Sequence, residues 1–222
     1  MRYNTLATDY DGTIAHDGVV DEATTGALFR AREAGMKLLL VTGRDLNELF
    51  TVYPQWKVFH RIVAENGALV FNPTTNESVT AAPSPPHELI ERLKSRGVPM
   101  WVGRSIIGTV EPHEHAALEI IHELGLEWQI IFNKGSVMIL PTGVNKATGL
   151  ELVMKELKLH RDQVAAVGDA ENDIAFLQAA GFPVAVANAL DSVKKVAAWV
   201  SPSPRGAGVA ELIEKLLSKE FA

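Results

Sequence analysis

A chain of 222 residues, 47% hydrophobic and 22% charged, can bury the core of one large domain or two unequal ones, which excludes a disordered tail or a minimal peptide scaffold. Its 21 basic and 27 acidic residues leave a net charge of −6, so the overall field repels nucleic acid and anionic membrane. Cysteine is absent, which removes disulfides, thiolate zinc sites and thiol nucleophiles; with no signal-like start in Met1 to Ala7 and no apolar run near the ~20 residues that span a bilayer, a cytoplasmic protein is expected.

In chain order, residues 4–9 have strand composition and run into a turn at Gly12-Thr13. Asp21 and Gly35 bracket a helix as N-cap and C-terminal glycine, with Ala27, Leu28, Ala31 and Ala34 near one face. A short apolar strand follows at Met36 to Val41, then a helix over Asp45 to Tyr53 and a strand at Arg61 to Ala64. Further on, Val164 to Val167 and Val184 to Val186 read as two more buried strands, with a helix over Ile174 to Ala180. Short unalternated apolar runs separated by helices imply a Rossmann-like, doubly wound parallel sheet with right-handed crossovers. Ligands in such sheets sit beyond the carboxyl ends of the strands.

The middle of the chain breaks that rhythm. After Pro83-Ser84-Pro85-Pro86 come a helix (His87 to Arg96), two strands about Gly103-Arg104, a helix (Glu114 to Leu124) and two strands about Asn133-Lys134-Gly135. This αββαββ pattern predicts a small antiparallel α+β module inserted over residues 82–142, leaving 1–81 and 143–222 to form the core domain.

Four polar clusters fall at the ends of the predicted strands or the starts of helices. Asp9-Tyr10-Asp11-Gly12-Thr13 sets two carboxylates two residues apart, and strand periodicity would aim both to one side; a lone D-x-D-G reads equally well as a turn. Thr42-Gly43-Arg44 delivers a hydroxyl and a small residue to a helix start, where free N–H groups bind anionic oxygens or are simply capped. Lys146 follows the N-cap residue Asn145, where a cation opposes the helix dipole, and a broken local rule invites a functional reason. Gly168-Asp169-Ala170-Glu171-Asn172-Asp173 again lies between strand and helix, and Asp169 and Asp173 offer the hard oxygens that suit Mg²⁺.

In this order the four clusters resemble the motifs of the haloacid dehalogenase-like phosphohydrolase superfamily, and the likeness spans the whole chain. The inserted αββαββ module and Glu65-Asn66-Gly67 just before it are similar to the Cof-like subclass IIB, which includes sugar-phosphate, sucrose-phosphate and phosphoglycolate phosphatases. The resemblance implies a Mg²⁺-dependent phosphatase acting on a small phosphorylated metabolite, as a monomer or homodimer, with Asp9 as the nucleophile that forms an aspartyl-phosphate. It implies that Asp11 is the general acid and base, its pKa raised by burial and by neighbouring aspartates. Thr42 and Gly43 would hold phosphoryl oxygens, Asn172 would touch the phosphate or Lys146, Lys146 would neutralise charge, and Asp9, the backbone carbonyl of Asp11 and Asp169 would hold the metal, with Asp173 ligating it or orienting a metal-bound water. Asn66 joins the substrate-binding set, and Arg44, Arg104 and Lys134, the last two at the cap hairpin turns, are candidates for a substrate carboxylate or hydroxyls.

Other features carry less. His113 and His115, two apart, do not share a helix face and read as surface residues, while Arg205-Gly206-Ala207-Gly208 reads as a loop before the last helix and Gly143-Val144-Asn145-Lys146 lacks phosphate-loop spacing. A phosphomutase or phosphotransferase on the same scaffold, a phosphoacceptor module of receiver type and a catalytically silent sugar-phosphate binder are the competing readings. The motif order, acidic pair first and last, disfavours the receiver.

Overall fold

The computed structural model describes residues 2–221. The chain opens with β1 (Thr5–Thr8), α1 (Glu22–Glu33), β2 (Lys37–Val41), α2 (Leu46–Val52), β3 (Arg61–Ala64), β4 (Leu69–Asn72) and β5 (Glu77–Thr80). The insert supplies α3 (His87–Ser95), β6 (Trp101–Val102), β7 (Ile107–Val110), α4 (Glu114–Glu123), β8 (Trp128–Asn133) and β9 (Ser136–Pro141). The chain then returns through α5 (Lys146–Glu156), β10 (Val164–Gly168), α6 (Ile174–Ala179), β11 (Phe182–Ala185), α7 (Asp191–Val196), β12 (Trp199–Val200) and α8 (Arg205–Leu217).

Eight strands form the core sheet in the order β12-β11-β10-β1-β2-β3-β4-β5. From β12 to β3 every pairing is parallel, and Leu38, Leu39, Leu40, Ile62, Val63 and residues 164–167 are fully buried, as expected of strands covered on both faces. Helix α1 packs with α8 and α5 packs with α6, so each pair seals its own part of the sheet. The sheet is not wholly parallel, however: β4 and β5 add an antiparallel hairpin at one edge. Every residue of β5 is exposed, and its polar Glu77, Ser78 and Thr80 suit an edge that must not recruit another strand. That absence of a buried face is why no strand is expected there from periodicity.

The insert folds as expected into its own four-stranded antiparallel sheet, order β6-β7-β9-β8, in which two hairpins are joined through β7 and β9. Leu89, Leu93, Ala117 and Ile120 of α3 and α4 pack on Ile107 and Ile139 as a second hydrophobic core. A small third cluster of Ala68, Ile106, Met138 and Leu140 joins the two bodies. Residues 205–208 are not a loop: they form the first turn of α8, with Arg205 at φ +49°, because the peptide groups after Pro204 already begin the helical hydrogen bonding. Among the described residues no helix is long and apolar enough to cross a membrane.

Candidate active site

Parallel strands end together, so β1, β2, β3 and β10 deliver Asp9, Thr42, Glu65 and Asp169 to one rim of the sheet. Helix α5 begins at the same rim. Its N-cap Asn145 accepts hydrogen bonds from the backbone N–H groups of Ala147 and Thr148, and this fixes the direction in which Lys146 leaves the helix. The Lys146 side chain is buried and its Nζ donates to Asp9 Oδ1 at 2.5 Å and to Asp173 Oδ1 at 2.6 Å. The other oxygen of Asp173 accepts the backbone N–H groups of Asp169 and Ala170 at 2.8 and 3.0 Å, so Asp173 locks the loop after β10 as well as the lysine.

Asp9, Asp169 and Asp173 are buried and offer one ligand oxygen each within 4.8 Å of one another, a donor set that fits a hard divalent cation. Burial, and then the charge of Asp173, push the Asp9 carboxyl well above its ordinary range, with Lys146 pulling the other way. Burial likewise raises Asp169. Burial alone would lower Lys146, but Asp173 and Asp9 outweigh it and keep the ammonium above its usual value. Three crowded carboxylates facing one buried ammonium are short of positive charge, which is a further reason that a cation suits the cluster.

The cap supplies part of the missing charge. Lys134, at the β8–β9 turn, places its Nζ on Asp169 Oδ2, and its backbone N–H donates to Glu171 at 3.2 Å. Asp169 Oδ1 accepts Thr13 Oγ1 at 3.2 Å, and Gly12 carries φ +82° where a Cβ would lie 2.2 Å from Asp169 Oδ2, so only glycine lets the two motif loops meet.

Asp11 does not join this cluster. Strand β1 ends at Thr8, the alternation of side chains stops with it, and Asp11 turns to Arg44, which grips it bidentately through Nε at 2.6 Å and Nη2 at 2.8 Å. Arg44 also pairs with Glu48 and lies over the Tyr10 ring, 5.4 Å from its centroid. With 39% of its side chain exposed and a guanidinium as its neighbour, Asp11 lacks both the burial and the adjacent aspartates that were expected to tune it. Tyr10 turns the opposite way into the core and donates to Gly18 O.

Thr42 is buried and its Oγ1 accepts the backbone N–H of Arg44 at 3.1 Å. Asn172 Nδ2 donates to Asn66 Oδ1 at 3.1 Å, and this buried pair leaves Asn66 Nδ2 and Asn172 Oδ1 without a protein partner among the described residues. The run Glu65-Asn66-Gly67 has positive φ at all three residues, a sharp reversal that Gly67 permits because a Cβ there would sit 1.9 Å from Asn145 O. Glu65 is thereby sent to the cap, where it accepts the backbone N–H groups of Arg104 and Ser105 at 3.0 and 2.8 Å. Arg104 itself reaches Ser78 on β5 rather than the cleft.

Next to the acidic cluster, joined to it through Gly12 and Lys134, which both approach Asp169, is a cleft of about 420 Å³ lined by Gly12, Gly43, Arg44 and Arg205 of the core and by Trp101, Asn133, Lys134 and Ser136 of the cap. The cap is seated closely: Met138 Cε lies 2.3 Å from where a Cβ on Gly43 would be. Asn188 is a site residue that sequence reasoning missed. Its Nδ2 donates to Gly12 O at 2.8 Å and lies 3.4 Å from Asp169 Oδ2, while its Oδ1 accepts the Arg205 backbone N–H at 2.8 Å. A signal was present, since Asn188 lies in the loop after the apolar strand β11, at the carboxyl end of a parallel strand.

A doubly wound core whose strand ends gather carboxylates and a buried lysine beneath a helix-backed antiparallel cap defines a two-body hydrolase architecture. The profile described as haloacid dehalogenase-like hydrolase matches residues 6–105 and 119–213, and the chain belongs to that family. It is 33% identical to phosphoglycolate phosphatase 2 of Saccharolobus solfataricus over 97% of this chain and 93% of that one, and 29% identical to the phosphoglycolate phosphatase of Methanosarcina acetivorans over 98% of each. Among solved structures, a HAD/COF-like hydrolase from Plasmodium vivax superposes with TM-score 0.84 at 21% identity, covering 98% of this chain and 96% of that one, which supports the fold.

Proposed function

We propose that this chain is a Mg²⁺-dependent phosphatase of a small phosphomonoester, of the phosphoglycolate or sugar-phosphate type, working through a phosphorylated Asp9. The observation that carries this reading is the Lys146 ammonium bonded at once to Asp9 and Asp173, with Asp169 beside them and bonded in turn to Lys134 of the neighbouring cleft. A divalent cation held by Asp9, Asp169 and Asp173 would supply positive charge against the phosphoryl oxygens.

The chain's own residues account for the remaining steps. Lys146 holds Asp9 Oδ1, leaving the second carboxylate oxygen to attack phosphorus in line while the ammonium stabilises charge on the transferring group. Thr42 and the Gly43 N–H sit at the strand rim where phosphoryl oxygens come to rest, with the Asn66–Asn172 pair behind them. For Asp11 to serve, its bidentate pair with Arg44 must open, which a substrate anion drawing Arg44 toward itself allows, and the freed carboxylate must take up a proton from solvent; it then gives that proton to the leaving oxygen and, as a carboxylate again, takes one from the attacking water. Burial beneath the cap excludes bulk water from the acyl phosphate. The cysteine-free composition suits a reducing cytoplasm.

The purified chain with Mg²⁺ and a panel of phosphomonoesters should release inorganic phosphate, and Asp9→Asn should abolish turnover while leaving the circular dichroism spectrum and unfolding transition intact. Turnover retained in Asp9→Asn would refute the assignment of the nucleophile. Phosphoryl recovered on an added sugar or alcohol instead of as free phosphate would make the enzyme a transferase.

A further inference from the structure

Three cations line the cleft from different elements, and their partners differ. Arg44 is occupied by Asp11 and Glu48, and Lys134 by Asp169. The guanidinium of Arg205 has no carboxylate within ion-pair distance and makes no hydrogen bond among the described residues, although the side chain is half-buried in the cleft wall.

Its backbone is held in place at some cost. Arg205 takes φ +49°, a region that non-glycine residues avoid, at the first position of α8, where a cation opposes the helix dipole. Asn188 fixes that position through the Arg205 N–H and ties it to Gly12 and Asp169. One asparagine thus links the Arg205 backbone to the acidic cluster. The position of Lys146, another cation just inside a helix start, breaks the same rule, and Lys146 is buried in the acidic cluster.

We propose that Arg205 binds the anionic end of the substrate remote from its phosphate, and that it selects short phosphomonoesters carrying a carboxylate. A planar guanidinium accepts a carboxylate bidentately, and one without a protein anion needs no ion pair broken to do so. Through Asn188 the Arg205 backbone is joined to Asp169 by a single side chain, so an ester that meets the acidic cluster and the guanidinium together is a compact one. This specificity rests on the phosphatase reading and adds to it a selecting residue contributed by the core rather than the cap.

The test compares 2-phosphoglycolate with 2-hydroxyethyl phosphate, which replaces the carboxylate by a neutral hydroxymethyl group, in wild type, Arg205→Ala, Arg205→Lys and Arg205→Gly; glycine accepts the positive φ and separates backbone relief from lost charge. In Arg205→Ala and Arg205→Gly the ratio of kcat/KM for the two esters should fall about ten- to a hundredfold, carried mainly by KM for phosphoglycolate, with Arg205→Lys recovering part of it. A wild type with no preference for the carboxylate ester, or a preference that survives Arg205→Ala, overturns the assignment while leaving the phosphatase reading intact. If no ester of the wider phosphomonoester panel is hydrolysed, that reading fails on its own, and calorimetric binding of the same two esters still decides Arg205: selective binding lost in Arg205→Ala supports it and unselective binding overturns it.

Discussion

Lys146 shows how one side chain can be bound by several constraints at once. It stands at a helix start that favours anions, it is buried, and the carboxylates of Asp9 and Asp173 justify both. Removing the ammonium strands two buried carboxylates. Lys146→Met should therefore lower the stability of the metal-free protein by about 3–5 kcal/mol, measured by urea unfolding in the presence of a chelator, and should abolish turnover. Arg44 illustrates the opposite case, a residue whose present partner differs from its expected one. It was expected to meet substrate, and it clasps Asp11, so Arg44→Ala should free Asp11 while removing a cation from the cleft. The outcome that fits this pairing is a raised KM together with an altered pH profile of kcat, read from initial rates across the acid range.

At the level of elements, the β3–β4 connection positions the cap as well as a site residue. Glu65 holds the β6–β7 turn through two backbone N–H groups, and Asn66, the next residue, faces Asn172 at the strand rim. Glu65→Ala should leave the core sheet unchanged and speed hydrogen exchange at Arg104 and Ser105 by about tenfold or more, measured by mass spectrometry on peptides spanning residues 101–110. Unchanged exchange there would mean that the cluster of Ala68, Ile106, Met138 and Leu140 holds the cap by itself. Contact between α3 and α4 is laced by Arg92 and Arg96 with Glu119 and Glu123, and Arg92 also pairs with Glu88 within α3; these exposed pairs contribute little to stability one by one.

Two effects belong to the molecule as a whole. A cation taken up by the acidic cluster of the folded chain stabilises it by mass action, so Mg²⁺ at about a hundred times its Kd should add about 2.7 kcal/mol, seen as a rise in Tm, and Asp169→Asn should lose most of that rise. Stability should also fall with acid through His60. Burial, followed by the charges of Arg32 and Lys37, lowers its pKa from the ordinary 6.5, and its Nδ1 accepts the backbone N–H of Leu38. As pH falls below that ordinary value the unfolded chain takes up the proton first, so the contribution of neutral His60 is complete above it and lost as pH drops toward the folded value. His60→Gln should flatten the dependence of the urea midpoint on pH in this range.

What the sequence settled by itself was everything written in local periodicity and in order along the chain. Buried runs such as Leu38 to Val41 demanded a covered sheet, Asp21 and Asn145 marked helix starts by hydrogen-bonding chemistry, and Asp9, Thr42, Lys146 and Asp169 fell where such a sheet collects ligands. Of the β4–β5 hairpin, β5 escaped because an exposed polar edge leaves no hydrophobic alternation to detect, while β4 alternates only over its four residues, with Leu69 and Phe71 buried. Tertiary structure alone decided the partners. Whether Asp11 faces Asp9 or Arg44, whether Lys134 meets Asp169, and which residue Asn188 restrains depend on contacts between segments tens to more than a hundred positions apart. Side-chain pairing at that separation follows from how sheet, helices and cap pack together, and no local pattern encodes it.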